Sequence, residues 1–128
     1  MSLVEKLKED GQLVFANKRV IRKIGMHGAI LLQELVYWHD RFEKEDKLVP
    51  INKTKRNGFA INAQSFFTTD EFLEQQTAMT IDQIVYYRRK LVRLKLVDTI
   101  LTGQPPKLHY VIFEKEIEKI LNGTDSHF

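Results

Sequence analysis

The chain has 128 residues, of which 43% are hydrophobic and 10% aromatic, and its formal net charge is +3. This length and apolar content favour one folded domain over a disordered chain, while so small a net charge does not by itself identify a nucleic-acid-binding protein. The absence of cysteine excludes disulfides and thiolate metal sites, and the absence of a long apolar run or a secretion pattern predicts a cytoplasmic protein without a membrane segment.

The first 25 residues predict two short helices that form an N-terminal extension of the domain. Residues 2–10 alternate apolar and charged side chains in a helical pattern. Asn17 is a suitable N-cap for a second short helix, which would end at Gly25. The cations of this second helix are interpreted either as a second phosphate contact or as a solvated surface, and they are Lys18, Arg19, Arg22 and Lys23.

Residues 27–42 form the longest helical pattern, with a broad apolar stripe that includes Leu35 and Trp38. So wide a stripe predicts either a core helix buried in its own domain or a helix that also contributes to a dimer interface. His27 and His39 lie on this helix without H-x-x-x-H spacing or an accompanying set of carboxylates, so we expect no metal site here.

Between about Leu48 and Phe67 the sequence predicts a two-stranded ribbon, because Asn57-Gly58 is typical of a tight hairpin turn. Residues 64–68, at its end, are predicted to pair with a later hairpin in a three-stranded sheet. The basic arm, Lys47 to Gly58, is interpreted either as a clamp on a DNA backbone or as a mobile loop, and its cations are Lys47, Lys53, Lys55 and Arg56.

The stretch from Thr68 to Phe113 predicts two helices joined by a tight turn and followed by a β-hairpin. Thr68 begins an S/T-x-x-E capping box, and Thr80 with Gln83 repeats this pattern at the start of the second helix. Residues 96–101 and 108–113 resemble strands and flank a Gly-Gln-Pro-Pro turn.

A closing helix over residues 114–121 and a polar tail over residues 122–128 complete the predicted order. The resulting fold class is α+β, mainly helical: a winged helix-turn-helix with an N-terminal helical extension and a β-hairpin wing. We expect a single domain over residues 1–121.

The second helix of the pair, residues 80–94, has one apolar and one polar, basic face. In a winged helix its N-terminal part would contact base edges, and later cations would contact phosphates. Gln83 has the two hydrogen-bonding groups that pair with adenine, and Asp82 would accept from cytosine or cap the helix. The predicted DNA-binding residues are Thr80, Asp82, Gln83, Tyr86, Arg89, Lys90 and Arg93 on the helix, with Lys107 at the wing.

Two positions depart from the usual winged-helix pattern. Arg88 adjoins the apolar face, so we expect its aliphatic stem to pack while the guanidinium reaches solvent or an acid. Lys95 stands where a glycine commonly precedes the apolar pair that opens the wing, here Leu96-Val97.

With these residues in place, the chain resembles the N-terminal winged-helix domain of phage and plasmid replication initiators and replisome organisers, including the DnaD-type group. The most specific part of the resemblance is the L-L-Q-x-L-x-Y-W motif ahead of a winged helix. It implies a domain that binds origin DNA or self-associates during primosome assembly, while a separate C-terminal region contacts a helicase loader or single-stranded DNA. The matching segments are Ile24-Gly25, Ala29 to Leu35, Tyr37-Trp38, Phe67 to Phe72, Thr80 to Val97 and Lys107 to Ile112.

The sequence contains no phosphate-binding loop, dinucleotide fingerprint or nucleophile elbow, so we expect neither an enzyme nor a cofactor. The first hypothesis is a double-stranded DNA-binding domain of a phage or plasmid replication protein, which would form a homodimer or higher homo-oligomer and contact replication proteins. The alternatives are a transcriptional repressor of the same fold and a protein-interaction or oligomerisation module of primosome assembly without strong DNA binding.

Overall fold

The computed structural model describes residues 2–9, 11–54 and 60–123. Within these ranges the strands form one antiparallel sheet in the order β1-β2-β4-β3. This α+β arrangement is consistent with the predicted winged helix-turn-helix, and no helix in these ranges is long and apolar enough to cross a membrane. The elements in chain order are α1 (Leu3–Leu7), α2 (Lys18–Ile24), α3 (Met26–Lys44), β1 (Val49–Thr54), β2 (Ala60–Phe67), α4 (Asp70–Thr77), α5 (Ile81–Arg93), β3 (Val97–Thr102), β4 (Lys107–Ile112) and α6 (Glu114–Leu121).

Side-chain caps determine where α1, α2, α4 and α5 begin. Asn17 caps α2 as predicted, because its Oδ1 accepts from the backbone N–H of Arg19 at 2.9 Å. The predicted capping box at Thr68 is wrong by one residue: Thr69 is the N-cap of α4, and its hydroxyl accepts from the N–H of Phe72 at 3.1 Å. The glutamate three residues after Thr68 favoured Thr68 in the sequence, but the helix uses the adjacent hydroxyl of Thr69.

The main core lies between α3, α5 and the sheet. Leu31 and Leu35 of α3 are completely buried, as are Ile84 and Leu91 of α5 and the ring of Tyr110 in β4. The predicted apolar face of α5 is therefore confirmed as the buried face. Burying a Leu or Ile side chain contributes about 1.5–3 kcal/mol, so these contacts hold α5 firmly to the body of the domain.

The aromatic end of α3 packs within its own chain. Trp38 places its ring edge-on to Phe72 of α4, with 5.2 Å between the ring centroids, and Phe42 lies 5.9 Å from Phe66 of β2. The sequence allowed two roles for the apolar stripe of this helix, burial in its own domain or a dimer interface. These contacts bury much of the stripe within its own domain.

The predicted ribbon is present as β1 and β2, and the inner end of β2 pairs with β4. The expected three-stranded sheet is confirmed, and β1 extends it to four strands. The ribbon is also anchored, because Ile51 and Ile61 pack with Val111 in a second, small core. The predicted turn at Asn57-Gly58 lies outside the described residues.

The backbone conformation explains why a glycine is usual at the position of Lys95. This residue joins α5 to β3 with a φ of 60°, in the left-handed region that glycine adopts without steric cost. A glycine is therefore the residue that this connection favours, and Lys95 adopts the same conformation at some cost in free energy.

Candidate nucleic-acid interface

The start of α5 is fixed by the capping box that the sequence predicted. The hydroxyl of Thr80 accepts from the backbone N–H of Gln83 at 3.2 Å, and the side-chain oxygen of Gln83 accepts from the N–H of Thr80 at 2.9 Å. This geometry restricts the predicted base contact, since a two-bond pairing with adenine requires the amide oxygen of Gln83 as well as its NH2 group. Asp82 is exposed in the first turn and is not the cap.

Arg88 anchors α5 to the neighbouring elements. Its guanidinium donates to the carboxylate of Asp70 at the start of α4 and to the hydroxyl of Tyr110 at 3.0 Å. Burial alone would lower the pKa of Arg88, but the hydrogen bonds to Asp70 and Tyr110 outweigh it and leave that pKa above its usual value. Burial has the opposite effect on Tyr110, whose charged form is the anion, and raises its pKa. The prediction that Arg88 reaches an acid is confirmed.

Tyr86, Arg89 and Arg93 lie together on the exposed face of α5, which begins one turn earlier at the exposed Asp82. They are spaced by three and four residues, which places them on one side of the helix, and the side chain of Tyr86 is 59% exposed. In the part of the chain that the structure describes, neither guanidinium has a hydrogen-bond or ion-pair partner. We call these three residues the α5 ridge.

Lys90 was predicted to belong to the same surface, but its ammonium group is directed elsewhere. It is partly buried and donates to the backbone carbonyl of Ile24, at the C-terminal end of α2, with a distance of 3.1 Å. A cation at that end satisfies a free carbonyl and complements the helix dipole. In this conformation Lys90 supports α2, and the charge available on the α5 ridge comes from its two arginines.

The remaining predicted cation, Lys107, lies at the wing. Its ammonium group is 4.8 Å from the ring centroid of Phe67, the last residue of β2. Lys53 of the ribbon donates to the carbonyl of Leu101 in β3 at 3.4 Å. Burial, and then the charges of Lys107 and Lys53, lower the pKa of His109, so the ribbon and the wing bring positive charge to one place.

The basic ribbon is therefore attached to the wing hairpin at Lys53 and does not project there as a separate arm. This part of it rests on the wing hairpin, and the sequence could not show this because the two elements are almost 50 residues apart. Lys47 is exposed beside Glu45, and the other two cations of the arm, Lys55 and Arg56, lie outside the described residues.

The predicted second basic surface, on α2, lines a cavity of about 260 Å³. Arg19 donates to the backbone carbonyl of Leu121 at 2.8 Å and so joins α2 to the end of α6. This cavity is a second cationic feature of the domain, at the side of α2 that faces α6. The residues that line it are Arg19, Arg22, Lys23, Ile120 and Gly123.

Sequence reasoning missed a possible ligand set around His39. It predicted that no carboxylates accompany this residue, but Glu43 and Glu114 do: the ligand atoms of the three side chains lie within 4.8 Å of one another. Glu43 stands four residues after His39 on α3, and this spacing was available in the sequence. Glu114, at the start of α6, is brought there only by the fold.

Comparisons of the chain with protein-family models and with curated proteins give no match. A solved structure described as the N-terminal domain of a DNA binding protein matches with a TM-score of 0.53 and 13% sequence identity. The match covers 100% of this chain and 96% of that domain. At such low identity the similarity shows that the two chains share a fold over their whole length.

Proposed function

We propose that this chain is a double-stranded DNA-binding domain of the winged-helix type. The observation that carries the proposal is the α5 ridge, where Tyr86, Arg89 and Arg93 are exposed together on a helix whose opposite face is buried. A helix with one exposed face fits the major groove, and guanidinium groups pair well with phosphates and with guanine. Further cations lie at the wing and on α2, and we propose a binding role rather than a catalytic one.

The finer role that we propose is replication. The resemblance to the DnaD-type group supports a cytoplasmic replication initiation or replisome organiser protein of a phage or plasmid. A transcriptional repressor would bind DNA in the same way, and genomic context separates the two: a neighbouring helicase-loader gene supports replication, and a divergent promoter supports repression.

The direct experiment is a salt titration of duplex binding by the Arg89→Ala, Arg93→Ala double variant. Log K falls as log salt rises, and each lost phosphate contact makes the magnitude of this slope smaller by about 0.9. Two lost contacts make it smaller by about 1.8. Over a fourfold range of salt, this difference amounts to about a twelvefold change in relative affinity. We choose Arg93 rather than Lys90 because the ammonium of Lys90 contacts α2.

The matched control is Lys44→Ala with Lys115→Ala, which removes the same two charges from exposed positions on α3 and α6. It should bind with nearly the native salt slope. If both double variants lose the same affinity, the effect is one of overall charge and the α5 ridge is not the interface. Gln83→Ala, assayed by selection on random duplexes, should change the sequence preference and leave the salt slope unchanged.

A second candidate function is protein interaction or homo-oligomerisation, and the N-terminal extension favours it. The helix α1 has no buried residue, and exposed apolar side chains continue along the segment that follows it. Clusters of this kind commonly mark a protein contact. Sedimentation across a concentration series, run beside the binding assay, tests it: self-association without DNA affinity would support this function over the first. The exposed side chains are Leu3, Val4, Leu7, Leu13, Val14 and Phe15.

A further inference from the structure

We propose that His39, Glu43 and Glu114 form a binding site for a divalent transition metal of the zinc type. We call these residues the His-Glu-Glu set. The proposal is independent of DNA binding, since it concerns a contact between α3 and α6 that the α5 ridge does not use.

His39 supplies the first argument. Its side chain is only 9% exposed, and its ring lies edge-on to Phe66, with 6.2 Å between the ring centroids, so the imidazole is held in place. Among the residues that the structure describes, none is within hydrogen-bonding distance of this side chain: its nearest carboxylate oxygen, on Glu114, is 3.7 Å from Nδ1. No side-chain nitrogen or oxygen that is sealed from solvent lacks a partner among the described residues, so the unpartnered imidazole nitrogens reach the surface, where an ion can enter between the two groups.

The distances supply the second argument. A separation of 3.7 Å is longer than an N–H···O hydrogen bond, which extends to about 3.2 Å. It is close to the distance of about 3.4 Å between a nitrogen and an oxygen that share a tetrahedral zinc ion, with bonds of about 2.0–2.2 Å. The whole set spans 4.8 Å, and because both glutamates are exposed, their side chains can close the remaining gap by rotating.

The chemistry of the donors selects the metal. One imidazole nitrogen with two carboxylates suits zinc and similar first-row ions, whereas calcium and magnesium prefer sites made only of oxygen. Two carboxylates also balance the charge of a divalent ion when the imidazole is neutral. Three protein ligands leave a fourth position for water, and the bound ion would link the first turn of α6 to the end of α3.

The test is isothermal titration of the full chain with Zn²⁺, with Mg²⁺ as the comparison ion. We expect one zinc site, and no comparable binding of magnesium. Glu114→Gln and Glu43→Gln should each weaken zinc binding by about tenfold or more, since losing even an outer-shell partner of a metal ligand costs about 10–100-fold. Both glutamates are exposed, so neither variant should affect folding.

The matched control is Glu118→Gln, which makes the same change of charge one turn further along α6 and should bind zinc as the native chain does. At the same zinc concentration, the melting temperature should rise in the native chain and in this control, and should rise less in Glu114→Gln. Zinc binding that both glutamate variants retain would place the ion at another histidine of the chain and overturn the proposal. Failure of the native chain to bind zinc at millimolar concentration would overturn it as well.

Discussion

Arg88 and Arg89 are neighbours on α5 with opposite roles, and replacing each by methionine separates stability from binding. The side chain of Arg88 is 15% exposed and that of its partner Asp70 is 26% exposed, whereas Arg89 is exposed. Methionine keeps much of the aliphatic stem and removes the guanidinium. In Arg88→Met, the carboxylate of Asp70 loses its cation and the hydroxyl of the buried Tyr110 loses its donor.

The cost can be built from these two losses. A hydrogen bond to a charged group contributes about 1.5–3 kcal/mol, and we take about 1.5 kcal/mol because water reaches Asp70 and screens the pair. A buried hydroxyl without a partner costs a further 1–2 kcal/mol, roughly. Arg88→Met should therefore lower the free energy of unfolding by about 3 kcal/mol. For a domain of this size, that corresponds to a melting temperature about 10 °C lower.

Thermal and urea unfolding measure this directly, and Arg89→Met is the matched control. An exposed substitution usually changes stability by no more than about 0.5 kcal/mol, so Arg89→Met should melt like the native chain while binding DNA more weakly. Adding Asp70→Asn to Arg88→Met should cost less than the sum of the single changes, because the unpaired acid is removed. Equal melting temperatures for the two methionine variants would refute the assignment of Arg88 as an anchor.

Two further predictions concern the sheet side of the domain. Lys95→Gly should raise the free energy of unfolding by about 0.5–1 kcal/mol in urea unfolding, because glycine adopts a φ of 60° without strain, and a loss of stability would contradict the backbone argument. The pKa of His109 is lowered by burial and then by Lys107 and Lys53, so the unfolded chain binds its proton more readily than the folded chain. The contribution of His109 to the free energy of unfolding is complete above the unfolded pKa of about 6.5 and is lost as the pH falls below it. His109→Gln should therefore flatten the pH dependence of the melting temperature between about pH 7 and 5. An unchanged profile would exclude this residue as the source of that dependence.

Much of the fold was predictable because the helix caps depend on contacts between residues that are close in sequence. Asn17 and the pair Thr80 with Gln83 cap their helices through contacts two or three residues away, which a linear pattern contains in full. The one-residue error at Thr68 arose where the chain offers the same hydroxyl twice. The φ of Lys95 likewise follows from its place between a helix and a strand.

The missed features depend on contacts between distant parts of the chain. Lys90 and Ile24 are 66 residues apart, and only the fold, in which α2 and α5 both pack on α3, brings the ammonium group to that carbonyl. Helical spacing correctly placed Lys90 near the polar side of α5, but it does not fix where a long, flexible side chain ends. In the same way, Glu114 approaches His39 only after α6 has packed onto the domain.

The contact between Lys90 and Ile24 also means that substitutions in α2 would affect DNA recognition by α5. Because Lys90, in the last turn of α5, donates to the tip of α2, a substitution in α2 that shifted its last turn would break this contact and free the Lys90 ammonium to add to the charge of the α5 ridge, although no residue of the ridge had changed. Target choice would then depend partly on residues that never contact a target. Variants that alter recognition are therefore to be sought in α2 as well as on the helix that bears the arginines.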